Sequence, residues 1–511
     1  MTPPAEFGLL NTLTLFLYLA AMFGIGVYCA RFNKSTDDFF RGGQSVPWWA
    51  AGLSIFATML SSITYMAMPA KSYATDWVIF VSNLPILLLA PVVIIFFLPV
   101  YRRIDATSAY EYLEKRFNYG VRLFGVVSFV LLQTGRMAVV LYLPSLALST
   151  VTDLNLYTSI AIMGAVSIAY SVIGGFQAVI WTDVVQSVVL LGGALLSFAI
   201  ILSRIDGGLG SFFEIGAAND KFRIANLGWD VTLPVLWIVF LGSVFNHLIP
   251  LTSDQSYVQR YMATATEKQA AKAIWVNSAM AVPATFLFLS LGTAMFVYYN
   301  QYPARLGALP SPDAILPWFI ARELPGGIAG LVVAGIFAAA QSTVSTSMNS
   351  IATVITIDVV HRWRGKGAEV EELRRARVLT VIFGLAGIGA AFYLAAANVQ
   401  SMFDAFIKLM GLTGSALAGL FILGIFTRRA TARGAACGAA TGIVVLYLVQ
   451  GYTSLTFFTY APIGMLTCIA VGYGASLLTG PNLRSLQGLT YYTIDRAPEN
   501  EKASHETIRS D

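Results

Sequence analysis

Charge is scarce in this 511-residue chain, and so are the side chains most used for metal and redox chemistry. Only 12% of residues are charged, against roughly 25% in soluble domains. A soluble enzyme is thereby excluded. Cys29, Cys437 and Cys468 stand singly within apolar stretches, which leaves neither a disulfide framework nor a paired-cysteine metal site. His247, His361 and His505 are too far apart to form a helical metal-binding pair. No Gly-rich phosphate loop marks an ATP site, and no basic, aromatic-interleaved face suits nucleic acid.

What the chain has is apolar length: 57% of residues are hydrophobic and the mean hydropathy is +0.69. A membrane-spanning helix needs roughly 20 apolar residues. Continuous apolar stretches begin near residues 8, 46, 76, 119, 156, 178, 232, 272, 325, 374, 402, 430 and 456, which predicts about thirteen spans. The first has no Lys or Arg before it and exceeds a signal-peptide core, so it reads as a retained span. Assigning connections alternately to the two sides, with the N-terminus outside, places 24 of the 32 basic residues on the inner side and 6 on the outer. The inner set includes Arg116, Arg122 and Arg260, and the outer set includes Lys221; Arg136 and Lys408 fall within spans. Positive charge gathers on the cytoplasmic side of membrane proteins, so the N-terminus is expected outside and the C-terminus inside. From residue 480 the chain turns polar and reads as a flexible cytoplasmic tail. The outer connections at 205–231 and 300–324 suggest short surface helices.

The polar residues inside the spans carry the functional signal, because an ionisable group there needs a partner or a role. Arg136 lies more than ten residues from either end of an apolar helix. Its planar fork matches a carboxylate, either that of a substrate, the preferred reading, or that of Asp183; backbone carbonyls are a third possibility. Asp183 sits a turn or two from the start of its helix, where it could face water or complete a cation site. Asp404 and Lys408 have the spacing of a structural helical ion pair. In AGIFAAAQSTVSTSMNS, residues Ser342, Thr343, Ser345 and Thr346 put four hydroxyls into an apolar helix, with 342, 345 and 346 on one face. Hard cations select oxygen ligands, although hydroxyls also join packed membrane helices.

The second span carries Thr58, Ser61, Ser62 and Thr64 between Pro47 and Pro69, and the seventh carries Pro234, Gly242 and Pro250 with interior Asn246 and His247. Two interrupted helices five spans apart suggest inverted repeats, with a site where the breaks meet.

Several stretches together are similar to the sodium:solute symporter family over residues 8 to 480: TDDFFRGG at 36–43, FATMLSSITYM with AMPAKSY, TSAYEYLEKRF at 107–117, GG-x-x-x-VIWTDVVQ at 174–186, VQRY at 258–261, and the hydroxyl-rich helix. The resemblance is closest to the bacterial sialic acid symporters. It implies an all-α LeuT-type fold: an extra N-terminal helix and loop over 1–45, five-helix repeats over 46–204 and 232–425 separated by an extracellular loop at 205–231, two C-terminal helices over 426–479, and a tail over 480–511. It also implies one sodium site at the backbone of Ala57, Leu60 and Ala339 with the hydroxyls of Ser342 and Thr343. A second would fall at Asp183, Ser342, Ser345 and Thr346. The substrate site would comprise Arg136, Ser61 and Thr64. The departures are Met59 in place of a Thr, Ile79 in place of a Phe and Asn83 in place of a Gln. The carboxylate end of the site is thus retained and the sugar end altered.

The expectation is a multi-pass protein of a bacterial cytoplasmic membrane, not an enzyme, that imports a small organic anion by alternating access. Two sodium ions are favoured over one, and sialic acid or a related acidic sugar heads the substrates. A sodium symporter of a neutral sugar, proline or another monocarboxylate is the alternative; a sensor or channel is a more distant one. No nucleic-acid partner or obligate protein partner is expected.

Overall fold

The computed structural model of the protein describes residues 8–32, 35–151, 154–307, 309, 312–397, 402–480, 482 and 484–494. Every regular element among them is helical. A bilayer offers backbone groups no water, so a spanning segment must satisfy them internally, as a helix does. Eleven helices are long and apolar enough to cross a membrane, or twelve if one bent pair is counted as a span.

The chain begins with α1 (Leu9–Cys29), followed by the bent pair α2 (Trp48–Met59) and α3 (Ser62–Ala74). Next come α4 (Val78–Ile104), the short α5 (Glu111–Arg116), α6 (Tyr119–Val151) and α7 (Leu156–Arg204). With 49 residues, α7 is on the order of 70 Å long, about twice the hydrocarbon thickness. It is interrupted at Gly175, whose φ of 55° and ψ of −152° only glycine adopts readily. Counted as two, its halves match the stretches read from residues 156 and 178 and account for the step from twelve spans to thirteen.

The second half runs through α8 (Leu236–Ser253), α9 (Gln255–Met262), α10 (Glu267–Gln301), α11 (Ile328–Val354), α12 (Glu369–Ala396), α13 (Met402–Phe426), α14 (Ala432–Tyr452) and α15 (Tyr460–Leu478). The connections at 205–231 and 300–324 hold the expected short helices, Gly208–Ala218 and Ile315–Glu323.

Both interrupted helices are present, each broken by a cause other than its prolines. The first pair bends by 55°. Leu60 takes φ −85° and ψ 82°, an inverse γ-turn, and the Ser61 amide donates to the Met59 carbonyl at 3.1 Å. Pro47 instead precedes α2, and Pro69 lies within α3. Pro250 also lies inside its helix; the second break falls at Asp254, which ends α8 and caps α9 by accepting from the Ser256 amide at 2.8 Å.

Several basic residues expected in loops prove to be structural. Arg116 is 1% exposed and donates to the carbonyls of Gly424, Thr427 and Ala430 at 2.8–3.0 Å, capping the end of α13. Arg122 donates to buried Asp358 at 2.6 Å through Nε. Lys221 donates to the carbonyls of Tyr73 and Thr75 at 2.7 and 3.0 Å and sits over the Phe296 ring; burial pushes its amine pKa down, against the opposing pull of Asp76. Arg260 is treated below. The side chain of Asp404 lies outside the described residues; Lys408 is exposed.

The expected flexible tail is also docked over its described part. The Tyr491 amide donates to the Ile425 carbonyl at 3.0 Å, Arg484 to the Glu114 carbonyl at 2.7 Å, and the Tyr112 hydroxyl to the Leu489 carbonyl at 3.1 Å. Tyr491 packs on Phe96 and Phe426. Residues 495–511 lie outside the described part.

Close contact between α3 and α10 holds the bent pair. Ser72 bonds to the Leu289 carbonyl and Thr293, and Thr293 accepts from the Trp77 indole, at 2.7–2.8 Å. One turn along, a Cβ on Gly292 would lie 2.1 Å from the Pro69 carbonyl oxygen. Gly292→Val should force the helices apart, costing about 1–3 kcal/mol. A lowered thermal unfolding midpoint in detergent would register it; an unchanged midpoint would show that this approach does not matter.

Candidate functional site

At the α2–α3 break lies a cavity of about 560 Å³, within the range of small-molecule sites. Of the six residues expected at a substrate site, Met59, Thr64, Ile79, Asn83 and Arg136 line it. Ser61 is buried at the break itself, 7% exposed, and is not part of the lining. The far wall comes from the second broken helix, through Asn246, His247, Asp254 and Tyr257. The His247 ring is fixed by a 2.9 Å contact between Nε2 and the Ser82 carbonyl.

Arg136 reaches the cavity from the middle of α6. Its Nη2 donates to the Thr58 carbonyl at 2.5 Å, and no carboxylate among the described residues is in ion-pair contact with it. The pairing with Asp183 therefore does not occur. Asp254 takes its hydrogen bonds from neutral donors, the Gln133 amide at 2.9 and 3.0 Å and Ser256. The remaining donors of the Arg136 guanidinium lie at a concave, mostly apolar space, a geometry compatible with a carboxylate.

Asp254 was not singled out in the sequence. It reads there as the polar end of a span, in PLTSDQS, because apolar length registers where a helix is continuous and not where a side-chain cap divides it.

Beside the cavity lies a buried polar cluster joining α2, α7, α9 and α11. Asp183 is fully buried; one carboxylate oxygen accepts from Arg260 at 2.9 Å and from Ser54. Arg260 is fully buried as well, donating to Ser54 at 2.7 Å, to the Ser256 carbonyl at 2.5 Å and to Thr346. Its assignment to a cytoplasmic loop was wrong because the chain after the Asp254 break continues as a buried helix. A carboxylate inside this bundle needs a cationic partner, and Arg260 supplies it.

The hydroxyl face of α11 closes on the same place. Ser342, Thr343, Ser345 and Thr346 are each at most 1% exposed. Thr343 and Ser345 donate to carbonyls of their own helix, those of Ala339 and Ser342, at 3.3 and 3.2 Å. Thr346 meets Thr58 at 3.3 Å, bringing the last turn of α2 against α11. The second carboxylate oxygen of Asp183 and the Ser342 hydroxyl have no other hydrogen-bond partner among the described residues, and the hydroxyl lies near enough to interact with the Asp183 carboxylate. At the α2–α3 break, the Ser61 amide turns to Met59 and not to Ala57, which frees a helical acceptor beside this face. Unsatisfied buried oxygens, one of them anionic, are what a small hard cation would satisfy.

A membrane bundle with two broken helices and a polar-lined cavity between them has the architecture of a secondary transporter. The chain belongs to the sodium:solute symporter family, whose model matches residues 39–442. It is 41% identical to the sodium/sialic acid symporter NanT of Aliivibrio fischeri, over 94% of this chain and 95% of that one. It is 40% identical to the sodium/sialic acid symporter SiaT of Proteus mirabilis, over 93% and 96%. A solved structure of a Na+-coupled sialic acid symporter in a substrate-bound, outward-open state matches with a TM-score of 0.89 at 37% identity, covering 94% of this chain and all of that one. The fold is the LeuT type, and the protein is a transporter and not an enzyme.

Removing one partner of a buried ion pair typically costs about 3–5 kcal/mol. Arg260→Met should therefore lower the unfolding midpoint sharply in sodium-free buffer, and adding Asp183→Asn should recover much of the loss. A double variant no more stable than Arg260→Met would show that the pair is not what Arg260 contributes.

Proposed function

We propose that the protein imports sialic acid, or a related acidic sugar, together with sodium by alternating access. The observation that carries this reading is Arg136: a guanidinium lining the cavity at the helix break, donating to the Thr58 carbonyl, near Tyr257 and Asp254 on the same wall, and in ion-pair contact with no carboxylate among the described residues. The relatives' named substrate supports it. Thr64 shares the cavity with Arg136, and Ser61 is buried at the helix break. Met59 and Ile79 offer no hydrogen bond and Asn83 is one methylene shorter than Gln, so the end of the site away from the carboxylate favours a less heavily hydroxylated contact.

Two sodium ions accompany each substrate in this reading. One is held by the carbonyls of Ala57, Leu60 and Ala339 with Ser342 and Thr343. The other is held by Asp183, Ser342, Ser345 and Thr346, where the unpartnered oxygens of Asp183 and Ser342 support it. The N-terminus lies outside and the C-terminus in the cytoplasm, with the excess of basic connections on the inner side. The inverted halves over 46–204 and 232–425 carry one broken helix each and rock about the shared site.

The driving force is the ion gradient with the membrane potential, about 2.3 kcal/mol per charge per 100 mV. Two cations with one monoanion move one net positive charge inward. In liposomes, labelled N-acetylneuraminate should accumulate under an inward sodium gradient and not under potassium, faster with a negative interior. Voltage-independent uptake would leave a single sodium.

Arg136→Ala should reduce apparent substrate affinity by about 2–5 kcal/mol, the range for an unpaired buried charge, and Arg136→Lys should not restore it, because a bidentate fork is lost. A modest loss in both would favour a neutral substrate.

A further inference from the structure

Helix α1 lies on the outside of the bundle, with Leu9, Phe16, Leu17 and Tyr28 more than half exposed toward lipid. Its inner face is buried through Tyr18, Met22, Gly26 and Cys29, and Tyr18 is the one of these with a side-chain hydroxyl. The Tyr18 hydroxyl donates to the side-chain oxygen of Gln341 at 2.8 Å and accepts from the side-chain amide of Gln186 at 3.4 Å. Both glutamines are buried. Gln341 immediately precedes Ser342 on α11, and Gln186 follows Asp183 by three residues on α7. The Tyr170 hydroxyl adds a third tie, donating to the Gln341 carbonyl at 3.1 Å.

A cation held by Asp183 and Ser342 has its ligands on two different helices, so its affinity depends on their separation. The Tyr18 hydroxyl is the bridge between the residues beside those ligands. We infer that Tyr18 is a positioning residue for the Asp183–Ser342 sodium site, setting the spacing of α7 and α11 from the peripheral helix. The inference rests on the reading of Asp183 and Ser342 as sodium ligands. Ordinary helix adhesion through a buried hydroxyl would instead lower stability without favouring sodium over substrate, and that difference is measurable.

The test uses the full chain in liposomes, with labelled N-acetylneuraminate as the probe and sodium titrated at saturating substrate. Sodium-dependent thermal stabilisation in detergent gives a second readout that needs no substrate. Tyr18→Phe should raise the half-saturating sodium concentration by about threefold to tenfold, the loss expected for one hydrogen bond of ordinary strength. The substrate half-saturation at saturating sodium should stay unchanged. Gln186→Met, which removes the other end of the bridge, should shift the sodium curve in the same direction. Tyr28→Phe, on the lipid-facing side of the same helix, should shift neither curve.

A sodium curve for Tyr18→Phe that superimposes on that of the unaltered protein, with or without a lower maximal rate, overturns the inference. Asp183→Asn separates the two levels. If it leaves sodium dependence unaltered, the sodium assignment falls and the role of Tyr18 with it. If it alters sodium dependence while Tyr18→Phe and Gln186→Met do not, only the role of Tyr18 falls.

Discussion

A helix broken inside a bilayer leaves polar groups that no water can reach, and the rest of this structure is arranged around that constraint. At the first break the Leu60 turn redirects the Ser61 amide and frees an acceptor. At the second, Asp254 supplies the cap that a continuous helix would not need. Arg136 and Asp254 line the cavity between the breaks, and the Asp183–Arg260 pair lies buried beside it among hydroxyls that replace solvation. The surrounding helices mainly hold the two breaks opposite each other, as the close passage of Gly292 over Pro69 shows.

The balance of charge in the cluster is informative. Arg260 neutralises Asp183 through one carboxylate oxygen and leaves the other unpartnered. A carboxylate fully enclosed by donors would have nothing to offer a second cation, and one without Arg260 would be too costly to keep buried. Pairing through one oxygen keeps the anion in place, with its second oxygen beside the Ser342 hydroxyl.

The helical architecture was legible because lipid imposes apolar length, and the hydroxyl face of α11 was legible because its three and four spacing is unusual in an apolar helix. The α2–α3 break was legible from the gathering of Ser and Thr between residues 58 and 64. Arg260 and Asp254 were not. Asp254 is the break and Arg260 follows it, where hydropathy falls as it does in a loop, and nothing local distinguishes a buried charge with a distant partner from an exposed one. Arg260 meets Asp183 across 77 positions, a contact made by tertiary folding alone. The docked segment after residue 482 escaped for a related reason: its polar backbone pairs with carbonyls at helix ends, and composition does not register such pairing. The two apolar stretches read at residues 156 and 178 lie in one helix that Gly175 interrupts, a run too long for one crossing.

That docked segment also bears on which parts of the molecule travel together. Leu489 takes a hydrogen bond from Tyr112 on α5, Tyr491 gives one to the last turn of α13, and Arg116 on α5 caps the same end of α13. The three pieces form a closed loop of bonds with no free joint. A rearrangement that leaves these bonds intact moves α5, the end of α13 and the segment 484–494 together.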